Sequence, residues 1–100
     1  GSARLRRTAI DRAWRNERNT VQEGSCGLSR CWTPGEQAQM AATGHVSGYD
    51  GHHLTSVVAD PSMAGNPCNI GFLGRADHLA AHGGAFQNPT WGEMLVGCVP

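Results

Sequence analysis

Four of the five histidines in the chain follow a spacing that could support metal chemistry. His52 and His53 are adjacent, whereas His78 and His82 are four residues apart. Residues four apart share one helix face, so this pair could grip one divalent ion. A third imidazole would complete three protein ligands and leave one position open for hydrolytic chemistry. His45 lies outside the pattern and is expected to be an ordinary loop or surface residue.

The adjacent pair, His52 and His53, predicts that the two side chains have different roles. Neighbouring side chains of a strand point to opposite sides, so both histidines would not easily ligate one ion. One is therefore expected on the metal and the other on the attacking water, for which a pKa of about 6.5 suits a base at neutral pH. The side chain of Asn69 could fix the ring of that base. On a phosphodiester, this arrangement predicts in-line hydrolysis that leaves 5′-phosphate and 3′-hydroxyl ends.

The surrounding sequence predicts the elements that position these residues. The sequence Thr33-Pro34-Gly35-Glu36 is a capping box that should begin a helix ending near Ala42. Apolar periodicity, turn residues and Gly83-Gly84 predict the other elements: helix 3–18, strand 52–58, surface loop 60–67, strand 69–73 and helix 75–82. A hairpin crossed by a helix would bring the histidines to one point. The expected fold class is α+β, a small domain with N-terminal helices packed on a ββα motif.

Chain length and charge limit the organisation of the protein. One hundred residues are expected to form a single compact domain, with an N-terminal helical and loop region at 1–45 and the core and tail at 46–100. No apolar run approaches the ~20 residues that span a bilayer, so no membrane partner is expected. Residues 1–18 hold six arginines against two acids. This basic segment is compatible with a polyanionic partner, and also with a solvated helix face.

Four cysteines allow three disulfide pairings, among which the sequence does not choose. They are Cys26, Cys31, Cys68 and Cys98. A disulfide in an exported protein ranks first, free buried thiols second, and a zinc site of all four cysteines third.

Two segments carry a resemblance to a known superfamily. Tyr49-Asp50-Gly51-His52-His53 resembles the Gly-His-His signature of polymorphic-toxin nucleases, a branch of the HNH/endonuclease VII superfamily with a ββα-metal core. The stretches 69–73 and 77–83 are similar to the second half of that motif, with an order and spacing like those of nuclease colicins. The resemblance covers 49–84, and nothing upstream is expected to contribute to it.

The resemblance implies a role for each residue of the motif. His52, His78 and His82 would be the metal ligands, and His53 the general base. Asn69 would accept a hydrogen bond from His53 through its side-chain carbonyl and hold the ring. Asp50 and Arg75 are two less specific catalytic candidates. Colicin nucleases carry an acidic residue at the position of Asp50, and either Arg75 or one of the N-terminal arginines could contact the phosphate.

The function implied is a metal-dependent DNA endonuclease that forms the C-terminal toxin domain of a bacterial secreted antibacterial effector. One divalent ion (Zn, Mg, Mn or Ni) is expected as cofactor, and cleavage should tolerate sequence and be sensitive to salt. Expected partners are DNA, a cognate immunity protein, and a carrier domain or secretion apparatus such as type VI secretion. The domain would act as a monomer in the cytoplasm of a target cell. Two alternatives stay open: an RNA-cleaving toxin with the same site, and a zinc-stabilised binding module without catalysis.

Overall fold

The computed structural model describes residues 1–99, so Pro100, the last residue of the expected tail, lies outside the described residues. It contains α1 (Ser2–Gln22), α2 (Pro34–Thr43), β1 (Tyr49–His53), β2 (Ile70–Gly74) and α3 (Arg75–Ala81). The strands form an antiparallel pair with His52 opposite Gly71, and α3 follows β2 without a linker. The predicted α+β class, with helices on a ββα motif, is confirmed.

The first strand differs from its prediction. The range 52–58 is wrong, because β1 ends at His53 and the chain then turns. The backbone N–H of Thr55 donates to the Asn69 side chain, and that of Ser56 donates to the carbonyl of Thr90. Because these two N–H groups are hydrogen-bonded to groups outside the pairing of β1 with β2, the strand does not extend past His53. The second strand begins at Ile70, one residue late, because Asn69 ends a short 3₁₀ turn (Pro67–Asn69).

The capping box at the start of α2 is confirmed. The Thr33 hydroxyl accepts from the backbone N–H of Glu36 at 3.2 Å, and the Glu36 carboxylate accepts from that of Thr33 at 3.0 Å. The helix ends at Gly44, whose φ of 87° is the left-handed conformation that glycine adopts without strain. These two local signals make α2 the helix whose bounds the sequence defines best.

An aromatic stack joins the N-terminal helices to the hairpin. Trp14 of α1 lies flat on Phe72 of β2, with ring centroids 3.7 Å apart, and Trp32 packs beside both. Ala9 and Ala13 are buried in the same cluster, and their small side chains let α1 approach the sheet closely. This core contains residues from both sides of the boundary expected at residue 45, so the two regions share one apolar interior.

A buried carboxylate organises the loop between α1 and α2. Glu17 is 1% exposed and accepts from the backbone N–H groups of Leu28 and Ser29 and from the indole of Trp32, at 2.8, 2.6 and 2.9 Å. Three donors compensate for much of the cost of burying the charge. The disulfide Cys26–Cys31 closes the same loop.

The glycine of the Gly-His-His signature is needed for close packing. A Cβ at Gly51 would lie 2.8 and 2.9 Å from the Cγ1 and Cγ2 atoms of Ile10. Its backbone is extended with negative φ, so the requirement is one of space rather than of conformation. The glycine therefore lets α1 lie directly on β1, next to the two histidines.

The second disulfide joins Cys68 to Cys98 and fixes the C-terminal tail to the turn before β2. All four cysteines are paired, which confirms the disulfide hypothesis over free thiols and a four-cysteine zinc site. Within residues 1–99, none of the helices combines the length and hydropathy needed to cross a membrane.

Candidate metal centre and catalytic cleft

Three histidines from two elements converge on one point. His52 of β1 meets His78 of α3 and His82 at the end of α3, and one ring nitrogen of each lies within 4.8 Å of the others. Each pair of ring centroids is 5.0 Å apart. The direct step from β2 into α3 brings the helix across the hairpin, which places its two histidines above His52. This is the arrangement expected from the spacing in the sequence.

Hydrogen bonds orient two of the three rings. The Nδ1 atom of His78 donates to the carboxylate of Asp50 at 3.0 Å, and that of His82 donates to the carbonyl of Asn88 at 2.8 Å. A proton on each Nδ1 leaves the lone pair on Nε2, where a metal can accept it. Among the residues described, the buried Nδ1 atom of His52 has no hydrogen-bond partner. A buried imidazole nitrogen without a partner, beside two oriented imidazoles, fits a divalent metal of the kind that prefers nitrogen ligands.

Burial keeps the central imidazole neutral. Desolvation, followed by the charges that His78, His82 and His53 would carry, lowers the pKa of His52 to about 4. A neutral ring is the form that coordinates a metal. His52 is therefore in the form that can coordinate a metal at neutral pH.

His53 points to the opposite side of the strand from His52, as strand geometry requires. Its Nε2 atom lies 3.0 Å from the carbonyl of Ala64, which accepts only from a protonated nitrogen, so Nδ1 keeps the lone pair. Burial lowers the pKa of His53, with the charge of Arg6 adding to this effect and the Ala64 bond opposing it. A half-buried, neutral imidazole with a free Nδ1 is equipped to take a proton from water at neutral pH.

The expected bond between Asn69 and His53 is not formed. Asn69 is fully buried, and its side chain exchanges two hydrogen bonds of 2.9 Å with the backbone of Thr55 and donates a third, of 3.3 Å, to Met63. The turn after β1 takes up this amide, because its backbone polar groups would otherwise be buried without partners. Asn69 thus holds the segment that carries Ala64, and Ala64 in turn holds the ring of His53.

Asp50 and Arg75 form a hydrogen-bonded group with His78, one of the three clustered histidines. One carboxylate oxygen of Asp50 accepts from both His78 and the guanidinium of Arg75, each at 3.0 Å. Burial would raise the pKa of Asp50, but these two hydrogen bonds outweigh it and lower the pKa. The Arg75 side chain is 72% exposed and lies over the ring of Phe86. Both residues are therefore placed to orient His78.

An open cleft of about 370 Å³ contains His53, His78 and His82 on its walls. Arg6 of α1 also lines the cleft and supplies a positive charge near His53, whereas Arg75 does not line the cleft. The sequence contained six arginines in residues 1–18 but no signal that singled out this one. Ala64 and Asn88 were missed as well, because both act through backbone carbonyls, which no residue type marks.

The family of the chain follows from a comparison with known proteins. A family described as "GHH signature containing HNH/Endo VII superfamily nuclease toxin" (Tox-GHH) matches residues 2–74. The chain belongs to this family, which confirms the resemblance drawn from the histidine pattern. The expectation that nothing upstream of residue 49 contributes is wrong, since the match includes α1 and α2. It also ends before α3, so the placement of His78 and His82 rests on the geometry described above.

Several animal proteins contain a similar segment. Teneurin-3 of Mus musculus is 40% identical over 72 residues, and Teneurin-4 of Homo sapiens is 39% identical over the same length. Teneurin-m of Drosophila melanogaster is 33% identical over 64 residues. The two longer matches cover 72% of this chain but only about 3% of those proteins. The domain is thus a nuclease toxin domain by family, similar to a small part of much larger eukaryotic chains.

Proposed function

We propose that this nuclease toxin domain is a metal-dependent endonuclease that hydrolyses DNA. The observation that supports this most strongly is that a neutral, oriented base, His53, lines the same cleft as His78 and His82, whose ring nitrogens lie with that of His52 within 4.8 Å of one another. The choice of DNA follows the resemblance to nuclease colicins. RNA, which has the same phosphodiester, is the alternative substrate that the experiment below must test.

The protein groups divide the work of hydrolysis. His52, His78 and His82 would hold one divalent ion, which when bound supplies positive charge to the scissile phosphate and the leaving oxygen. His53 takes the proton of the attacking water on Nδ1, while Ala64 fixes its ring. Arg6, which also lines the cleft, would contact a phosphate oxygen. Asn69, Asp50 and Arg75 act as positioning residues through their contacts with the turn and with His78. We expect 5′-phosphate and 3′-hydroxyl products.

A cleavage assay tests this proposal directly. Supercoiled plasmid and a structured RNA are incubated with the domain, its His53→Ala variant and a His45→Ala variant, with added Zn²⁺, Mg²⁺, Mn²⁺ or Ni²⁺ and with EDTA. Loss of the base should lower plasmid cleavage about 10²–10⁴-fold. His45 is exposed, and its ring centroid lies 6.3 Å from that of Trp14, away from the cleft. The His45→Ala variant should therefore cleave like the wild type. If only the RNA were cleaved, RNA rather than DNA would be the substrate of the domain. No cleavage of either by a folded, metal-loaded protein would leave the zinc-stabilised module.

We propose that the domain acts after delivery into the cytoplasm of a target cell, as the toxin family suggests. This proposal also includes a bacterial origin, delivery by the type VI route, a carrier domain, a cognate immunity protein and a monomeric state. Because the similar proteins come from animals, the bacterial origin is the part that most needs a test. Expression inside bacterial and animal cells, with His53→Ala as the control, would provide one. Killing of bacterial cells alone by the wild type supports an antibacterial effector, whereas killing of animal cells alone argues against it.

A further inference from the structure

The segment after α3 is held to the site although it forms no helix or strand. This strap, residues 85–98, contacts the turn after β1 at two points: Thr90 donates through its hydroxyl to the carbonyl of Leu54, and Gly92 accepts from the hydroxyl of Thr55. Farther along, the backbone N–H of Leu95 donates to the carbonyl of Cys68. The strap therefore lines the cleft only at its near end, with Phe86, Gln87 and Asn88, and hydrogen bonds fasten the rest of it to the turn after β1 and to Cys68.

Apolar burial contributes little to holding the strap beyond Asn88, where Trp91 is 74% exposed and Val96 is 95% exposed. At its near end, the ring of Phe86 packs beside the rings of His78 and His82, with centroids 4.9 and 5.8 Å away. A segment attached mainly by half-exposed hydrogen bonds opens more readily than a packed core. The covalent bond between Cys98 and buried Cys68 is what closes its far end.

The near end of the strap contacts a metal ligand. The carbonyl of Asn88 accepts from Nδ1 of His82, and the side-chain amide of Asn88 donates to the carbonyl of His82, both at 2.8 Å. This two-way pairing fixes both the tautomer of the ring and the end of α3. The family match ends at residue 74 and so does not include these contacts.

We propose that the strap is part of the metal centre: Asn88 is a positioning residue for His82, and the Cys68–Cys98 disulfide keeps Asn88 in place. This inference rests on the proposed metal site. It does not depend on the substrate, because the strap acts on a ligand before any nucleic acid binds. Partners that orient a metal-ligating histidine typically change metal affinity by about 10–100-fold.

The test measures binding of Zn²⁺ alone by isothermal titration calorimetry, and the visible spectrum of bound Co²⁺. The double variant Cys68→Ala/Cys98→Ala opens the strap, and Cys26→Ala/Cys31→Ala removes the other disulfide without touching the cleft. We expect the first to weaken Zn²⁺ binding about 10–100-fold and alter the Co²⁺ spectrum, and the second to bind as the wild type does. Equal affinities for both variants would overturn the proposal.

A second pair of variants leaves both disulfides intact, so the test does not depend on the disulfide variants folding. Asn88→Ala keeps the backbone carbonyl that accepts from His82 but removes the side-chain amide that ties residue 88 to the end of α3. Without that tie the carbonyl should no longer be held against Nδ1, so the variant should weaken Zn²⁺ binding and convert the His82 ring, in nitrogen NMR spectra of the metal-free protein, from one tautomer to a mixture. Trp91→Ala, an exposed change in the same strap, should do neither. A single unchanged His82 tautomer in Asn88→Ala would refute the positioning role. Failure of plasmid cleavage with tight Zn²⁺ binding would refute the nuclease and leave this proposal standing.

Discussion

Gly51→Ala is the substitution whose cost follows most directly from the structure. The new methyl group would lie 2.8 Å from Cγ1 and 2.9 Å from Cγ2 of Ile10. Carbon atoms in contact prefer separations of about 3.5–4.0 Å, so about 1 Å of overlap must be relieved. Ile10 cannot easily retreat, because the stack of Trp14 on Phe72 fixes α1 one turn farther along the helix.

The magnitude comes from two opposing effects. Overpacking of this kind costs about 1–3 kcal/mol. Replacing glycine in extended backbone returns about 0.4–1 kcal/mol, since the unfolded chain loses freedom. The difference between these ranges is a net loss of about 0–2.6 kcal/mol with a midpoint of about 1.3 kcal/mol, and that midpoint lowers Tm of a domain of this size by about 5–10 °C.

Thermal and urea unfolding followed by circular dichroism, in EDTA and with disulfides intact, would measure this loss without a contribution from bound metal. Gly35→Ala is the matched control, because a Cβ at Gly35 meets nothing within 4 Å; it should be neutral or slightly stabilising. In an Ile10→Ala background the clash disappears, so Gly51→Ala should then cost nothing. A coupling free energy of at least about 1 kcal/mol is expected between the two sites. If Gly51→Ala lowered Tm equally in both backgrounds, close packing would not be the reason for this glycine.

Three further predictions concern polar groups. Glu17→Gln should lower the free energy of unfolding by about 2–4 kcal/mol in urea titrations, because an amide NH₂ would face N–H donors. Full retention of stability would show that the buried charge is dispensable. Asn69→Asp should cost about 3–5 kcal/mol by the same measurement, since a carboxylate cannot donate to the Thr55 carbonyl, and a neutral result would contradict the role given to this amide. The hydrogen bond from the backbone of Thr33 lowers the pKa of Glu36 below 4.5, so its ionised form stabilises the fold above that pH and the contribution is lost as pH falls through the folded-state pKa. Glu36→Gln keeps the capping geometry and should cost about 0.3–1 kcal/mol at pH 7 and progressively less as the pH falls through the folded-state pKa of Glu36; a pH-independent difference in unfolding would count against the charge effect.

Local signals in the sequence were enough to predict helix α2 and the cluster of three histidines, but not the bounds of the first strand. The capping box of Thr33 and Glu36 and the left-handed Gly44 define α2 through bonds within a few residues. The four-residue step from His78 to His82 places both rings on one helix face by the geometry of the helix alone. The pairing of His52 with them could be predicted because the strand, turn and helix follow one another closely along the chain.

Only the tertiary structure decided which groups orient those residues. Backbone carbonyls of Ala64 and Asn88 hold the rings of His53 and His82. Because every residue has a carbonyl, the residue types do not indicate which carbonyl accepts a hydrogen bond from which histidine. The same limit explains why the bond between Asn69 and His53 that the family resemblance implied is not formed, since the amide of Asn69 bonds the backbone of Thr55 instead. The requirement for glycine at position 51 depends on where Ile10, 41 residues earlier, packs. Contacts over such distances depend on how the whole chain closes, which the spacing of residues does not determine.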